Sequence, residues 1–239
     1  MRLKLTLEYD GTGFRGWAAQ PGLRTVEDEI QAALTQVYPA WRGLAVAGRT
    51  DTGVHALGQV ASVDVDGGPP PDRAAEALNA VLPRDVAVVA GEAAEPGFDA
   101  RHSARSRSYR YRIFRRRVQS PLEARRSWWY PRPIDEEALA DSAELLLGEH
   151  DFRAFTPTET QHAVLRRRVR EARWLEHGDL LEFEITADSF LRHMVRTLVG
   201  TMVELPAERL GELLEGHRER ADAGTTAPPW GLYLESAQY

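Results

Sequence analysis

Ala47-Gly-Arg-Thr-Asp-Thr-Gly-Val-His-Ala56 gathers a guanidinium, a carboxylate and an imidazole within seven residues, with a glycine on either side of the carboxylate. A strand leads in, and loops that follow strands on a rigid scaffold are where catalytic groups concentrate. A lone Asp-x-Gly is an ordinary polar turn, so the density of functional groups makes this a candidate catalytic loop without deciding the matter. Asp51-Thr52-Gly53 also spells the D-T-G triplet of aspartic proteases. The chain has one copy, so protease chemistry would need a homodimer that pairs two Asp51 carboxylates. Arg49 lies two residues away and favours the charged carboxylate, against the shared proton of such a dyad.

Gly11-Thr-Gly-Phe-Arg-Gly16 is a literal G-x-G-x-x-G after a strand. A dinucleotide site needs its third glycine at the opening of a helix that packs on a buried parallel strand. Here Trp17 and Pro21-Gly22 intervene, and the preceding strand alternates. NAD and FAD are therefore excluded, and the segment reads as a tight loop that brings backbone close to a ligand.

The elements that must carry these loops are legible from periodicity. Leu3, Leu5, Leu7 and Tyr9 alternate with polar residues and predict a half-buried strand over 2–9. Thr25, with Asp28 three residues on, caps a helix whose apolar stripe is Ile30, Ala33, Leu34 and Val37. Strands follow at 44–47 and 59–65, a helix at 74–81 before Pro83, and a strand at 86–90. The second half offers a strand at 108–114, a helix at 135–147, a hairpin of 169–175 with 180–187 around His177-Gly178-Asp179, helices at 190–203 and 208–214, and a strand at 231–236. The expected fold is α+β, with two tandem ferredoxin-like β-α-β-β-α-β halves over residues 1–104 and 105–239.

The 239 residues suffice for a sizeable core. Zero cysteines exclude disulfides, iron–sulfur clusters, thiol catalysis and Cys-ligated zinc, and the histidines show no ligand spacing, so no metal is expected. No apolar run approaches a membrane span, and the alternating N-terminus is unlike a signal peptide, so a soluble, cytoplasmic chain is expected. The net charge of −6 is unevenly spread: residues 101–126 hold ten Arg and one Glu, and residues 166–173 five Arg and one Glu. Tyr109, Tyr111 and Phe114 interleave the first run, which suits RNA, because bases need stacking surfaces as well as charge. A non-catalytic RNA-binding module would satisfy the same pattern.

Seven stretches in order resemble one family, the TruA-type tRNA pseudouridine synthases. They are Glu8–Trp17, Ala47–Ala56, Phe98–Arg101, Ser108–Arg112, Leu147–Phe152, Phe190–Gly200 and Thr226–Leu234. The chain departs from the family pattern only near its end, where Ser236-Ala-Gln-Tyr239 replaces a more apolar run. The resemblance implies isomerisation of uridine to pseudouridine at positions 38, 39 and 40 of the tRNA anticodon stem-loop, without metal or organic cofactor. It implies a homodimer whose halves share an extended, mainly antiparallel sheet, with helices on one side and an active-site cleft between the halves. Asp51 then takes the catalytic role, leaving open whether it attacks the base at C6, attacks C1′ or removes a sugar proton. Tyr109 stacks on the flipped uracil, Arg49 enters the space it vacates or holds its phosphate, Arg196 pairs with Asp51, and Leu232 walls the uracil. His55 is read as structural or RNA-contacting. The arginine runs of two subunits would surround one tRNA.

Overall fold

In the computed structural model, which describes residues 1–160 and 162–239, the chain begins with strand β1 (Arg2–Tyr9). Leu3, Leu5 and Leu7 are fully buried and Tyr9 nearly so, as the alternation requires. Each such leucine contributes roughly 1.5–3 kcal/mol of burial. Helix α1 (Val26–Val37) follows, with the Thr25 hydroxyl accepting the Asp28 N–H at its start. Replacing Thr25 with Ala is expected to cost about 1 kcal/mol of stability, read from the shift in urea midpoint.

Strands β2 (Ala40–Val46) and β3 (His55–Asp66), helix α2 (Pro71–Asn79) and strand β4 (Val86–Ala93) complete the first run of elements. Strand β1 lies antiparallel between β4 and β3, and β2 lies antiparallel to β3 on its far side. The chain also contains β5 (Ser106–Phe114), the two-residue β6 (Trp128–Trp129), α3 (Glu136–Leu145), β7 (Gly148–Asp151), β8 (Arg166–His177) and β9 (Leu180–Ala187). It closes with α4 (Met194–Glu204), α5 (Ala207–Leu214) and β10 (Leu232–Gln238).

Two compact units result. The first comprises Met1–Arg105 with Tyr233–Tyr239, and the second Ser106–Leu232. In the first, β10 runs parallel to β3 at Tyr233–His55 and Leu234–Ala56, beside the part of β3 that β2 leaves uncovered. The 47–54 loop therefore lies where the neighbour of β3 changes. Ala47, Val60 and Ala100 form a small core there, covered by Phe98, Ala237 and Tyr239. The Tyr239 hydroxyl donates to Ala100 O at 2.9 Å, which ties the C-terminal residue to this small core.

In the second unit β5 is antiparallel to β9, which is antiparallel to β8, which pairs in turn with β7. The predicted helix over 190–203 starts instead at Met194. Asp188 Oδ1 accepts the N–H groups of Ser189 (2.5 Å) and Arg168 (3.3 Å), and such local bonds compete with a helical turn. His193 then holds φ 63°, a left-handed conformation rare for a residue with a Cβ, immediately before the helix. Among the described residues no helix is long and apolar enough to cross a membrane.

Candidate active site

Asp51 is half-buried on a loop whose backbone is fixed at nearly every residue around it. Gly48 is held by Gln59, a fully buried residue of β3 whose Nε2 donates to Gly48 O at 2.6 Å and whose Oε1 accepts the Gly48 N–H at 3.4 Å. Thr50 is held twice: its hydroxyl meets the Tyr9 hydroxyl at 2.8 Å, and its carbonyl accepts the Trp17 N–H at 3.0 Å. Gly53 N–H reaches Phe14 O at 3.3 Å, and Val54 N–H closes the turn on Asp51 O at 3.1 Å. Burial pushes the Tyr9 hydroxyl up to about 12, with the Thr50 and Gln59 hydrogen bonds opposing, so it serves as a neutral bridge.

The glycine-rich segment supplies the other wall of this cradle. A short 3-10 turn at Gly11–Gly13 is capped by Asp10, whose side chain accepts the Thr12 N–H. Gly11 lies so close to the end of the 47–54 loop that a Cβ there would stand 2.0 Å from Val54 O. Gly16, at φ +92°, passes under the loop itself, and a Cβ would meet Thr50 O at 2.8 Å and the Asp51 carbonyl carbon at 3.2 Å. These two glycines bring the backbone close to the protein's own 50–54 segment. Phe14 and Trp17 between these contacts are each 1% exposed and bury the segment's apolar side. Arg49, next to this framework, is exposed.

The second unit carries the other three expected site residues. Tyr109 and Tyr111 share the core face of β5 with Ile113, and Tyr109 is the less buried end of that row at 8% exposure. Phe190 packs edge-on against the Tyr109 ring, with centroids 4.9 Å apart, which fixes the plane of the ring. Arg196, in the first turn of α4, is half-buried and not solvent-facing. Its Nε donates to Ala227 O at 2.8 Å, and its carbonyl accepts the Ala227 N–H at 3.1 Å. Leu232 is 6% exposed at the start of β10. The chain just before it is pinned to β5, because the Tyr111 hydroxyl donates to Pro228 O at 2.8 Å and Gly231 rests against the Tyr111 ring. Burial raises the Tyr111 hydroxyl well above its ordinary value, against the nearby Arg196 charge, so it remains a donor.

Tyr9, Gln59 and Tyr111 are supports that sequence reasoning missed, since each acts on a segment 41, 11 or 117 residues distant. Many arginines of the two runs also meet carboxylates. Arg110 faces Glu182 and Glu184, Arg112 faces Glu182 and Glu123, and Arg173 faces Glu184. Arg115 meets Glu136 and Glu176, and Arg166 and Arg168 share Glu149. Antiparallel register sets Arg110 against Glu184 and Arg112 against Glu182, so much of the local charge is neutralised within the unit. Arg116 and Arg117 are exposed and face no carboxylate among the described residues. Among those residues, no three His, Cys, Asp or Glu side chains converge as metal ligands would.

A family model described as tRNA pseudouridine synthase matches residues 6–102 and 142–239. The chain is 42% identical to a tRNA pseudouridine synthase A of Myxococcus xanthus, spanning all of this chain and 92% of that protein. It is 40% identical to the Moorella thermoacetica protein of the same name, spanning 99% of each. Among solved structures, a chain of a Cbf5-Nop10-Gar1 complex aligns with 97% of this chain and 48% of its own length, at 14% identity and a TM-score of 0.39.

Proposed function

The chain belongs to the tRNA pseudouridine synthase family, and from that premise we propose that it acts at positions 38, 39 and 40 of the tRNA anticodon stem-loop. The reaction is an isomerisation of uridine to pseudouridine within tRNA. The N1–C1′ bond breaks, the uracil turns, and C5 bonds to C1′. The C5 proton leaves and N1 takes one up, so no atom is gained or lost and no redox partner is needed.

Asp51 is the catalytic carboxylate of this proposal. Addition to C6, addition to C1′ and removal of a sugar proton all require a carboxylate held at one place relative to the nucleoside. The observation that carries the reading is the cradle around its loop: backbone clamped at Gly48, Thr50, Gly53 and Val54 fixes the point from which the carboxylate projects. To present a uridine there, the base must leave its stack at a cost of a few kcal/mol, part of which an aromatic face recovers. Tyr109 supplies that face, oriented by Phe190, and Leu232 a small apolar wall. Arg49 occupies the space the base vacates or holds its phosphate, and Arg196 is the cation that pairs with Asp51.

The proposal extends to two tandem ferredoxin-like halves, the first carrying the catalytic loop and the second the stacking tyrosine. Supporting this are the β1-α1-β2-β3-α2-β4 order of the first unit and its β4-β1-β3-β2 strand arrangement. The working unit is a cytoplasmic homodimer that uses no cofactor and grips one tRNA.

Position choice is tested with transcripts labelled with tritium at uracil C5, since that label leaves only when C5 becomes the glycosidic carbon. A tRNA with uridine at 38, 39 or 40 should release tritium, and the same tRNA with cytidine at all three should release none. Release that persists in the triple-cytidine transcript overturns the assignment of position. Binding of the labelled tRNA without any release favours the non-catalytic RNA-binding module.

A further inference from the structure

His55 ends the segment that carries Asp51, and its ring stands where a neutral acceptor is required. The imidazole is 3% exposed and stacks on Tyr233, with centroids 4.7 Å apart and planes 21° apart. Its Nδ1 accepts the Gly11 N–H at 3.0 Å. Asp10 Oδ1 lies 3.2 Å from the same nitrogen, but one nitrogen cannot serve both groups. An Nδ1–H aimed at Asp10 would strand the buried Gly11 N–H, whereas Asp10 Oδ1 already accepts the Thr12 N–H at 3.0 Å. The neutral ring with its proton on Nε2 satisfies both amides.

That bond joins two pieces of backbone that touch the catalytic loop from opposite ends. Gly11 begins the turn that leads to Phe14, Gly16 and Trp17, which hold Gly53 and Thr50. His55 begins β3, four residues after Asp51. The Gly11 turn sits against Val54 at a distance no Cβ could share, so its placement depends on what holds its amide. We propose that His55 is a positioning residue for the isomerisation: its Nδ1 lone pair fixes the Gly11 turn and so keeps the Asp51 carboxylate in reacting position. The proposal rests on the reading of Asp51 as the catalytic carboxylate.

Three substitutions separate this role from its rivals. His55→Phe keeps an aromatic ring against Tyr233 but removes the acceptor. His55→Asn places an oxygen where Nδ1 stands, and His55→Gln places one where Nε2 stands. Steady-state tritium release should show kcat of H55F lowered by on the order of 10–100-fold, the loss that follows a displacement of about 1 Å. KM and tRNA affinity should stay unchanged. H55N should recover most of the wild-type kcat, and H55Q should remain as low as H55F. Loss of kcat in H55N equal to that in H55F overturns the proposal, as does an H55F enzyme of wild-type kcat. Recovery in H55Q but not H55N assigns the work to Nε2 and overturns it as well. Should H55F fail to fold, as judged by its melting curve, the Asn and Gln variants decide alone. Asp51→Asn is run in parallel: activity there removes the catalytic premise itself, a failure visible in that variant and not in the His55 series.

Discussion

Replacing Asp51 with Asn is expected to abolish tritium release while tRNA binding and the melting temperature stay near wild type. Asn fills the same volume and keeps one side-chain oxygen, so the loop keeps its shape. The loop's fixed points are carried by other groups: Gln59 on Gly48, Tyr9 and Trp17 on Thr50, Phe14 on Gly53. What Asn loses is the negative charge, and with it the ability to add to carbon or to take a proton. Loss of a general base costs about 100- to 10,000-fold in kcat, and loss of a nucleophile more, where the remaining site is intact. A filter-binding titration beside the release assay separates chemistry from affinity. Wild-type turnover by D51N would remove the carboxylate from the mechanism, and loss of tRNA binding would recast Asp51 as part of the binding surface.

The parts of the fold that were legible in the sequence are those written locally. The alternation of Leu3, Leu5, Leu7 and Tyr9, and the Thr25–Asp28 spacing, encode β1 and the start of α1 within a few residues. Where the competing signal was also local but weaker in type, the expectation slipped. Phe190–Val203 has helical spacing throughout, yet the Asp188 side chain and the left-handed His193 delay α4 to Met194. The Asp51 loop was legible as a cluster of functional groups, but its cradle was not. Gln59 and Tyr9 read as ordinary strand residues, and only the register of β1 on β3 brings them beneath one loop. The ion pairs of the arginine runs were hidden for the same reason. Their partners Glu182 and Glu184 lie about 70 residues away and become neighbours through the pairing of β5 with β9. Charge density along a chain is not charge density on a surface.

The four glycines at 11, 13, 16 and 22 should respond unequally to alanine, and the order follows from what each Cβ would meet. At Gly11 it would stand 2.0 Å from Val54 O and 2.5 Å from Val54 C, backbone atoms of the residue just ahead of the strand that β1 and β10 hold in place. The strand side cannot yield, so the turn must move, and with it the Phe14 and Trp17 backbone groups that hold the Asp51 loop. At Gly16 the obstacle is Thr50 O at 2.8 Å, and φ +92° adds the strain of a conformation that residues with a Cβ rarely adopt. Overpacking of this kind costs about 1–3 kcal/mol, and backbone strain adds a similar amount. Gly11→Ala and Gly16→Ala should therefore melt several degrees below wild type, at about 2–4 °C per kcal/mol. Both should also lose kcat by on the order of 100-fold, because the displaced loop carries Asp51 with it. At Gly13 the new Cβ would meet only the Arg24 guanidinium at 3.2 Å and the Asp85 carboxylate at 3.5 Å, ends of side chains that can give way. At Gly22 nothing lies within 4 Å, although φ is +74°. Gly22→Ala should thus lose about 1 kcal/mol of stability to strain alone and keep its kcat. Gly13→Ala should stay near wild type in both. That pattern ties the loss of activity to contact with the 50–54 backbone, since G22A carries strain without contact. A G11A enzyme with wild-type kcat and melting temperature would show that the turn is no part of what holds Asp51.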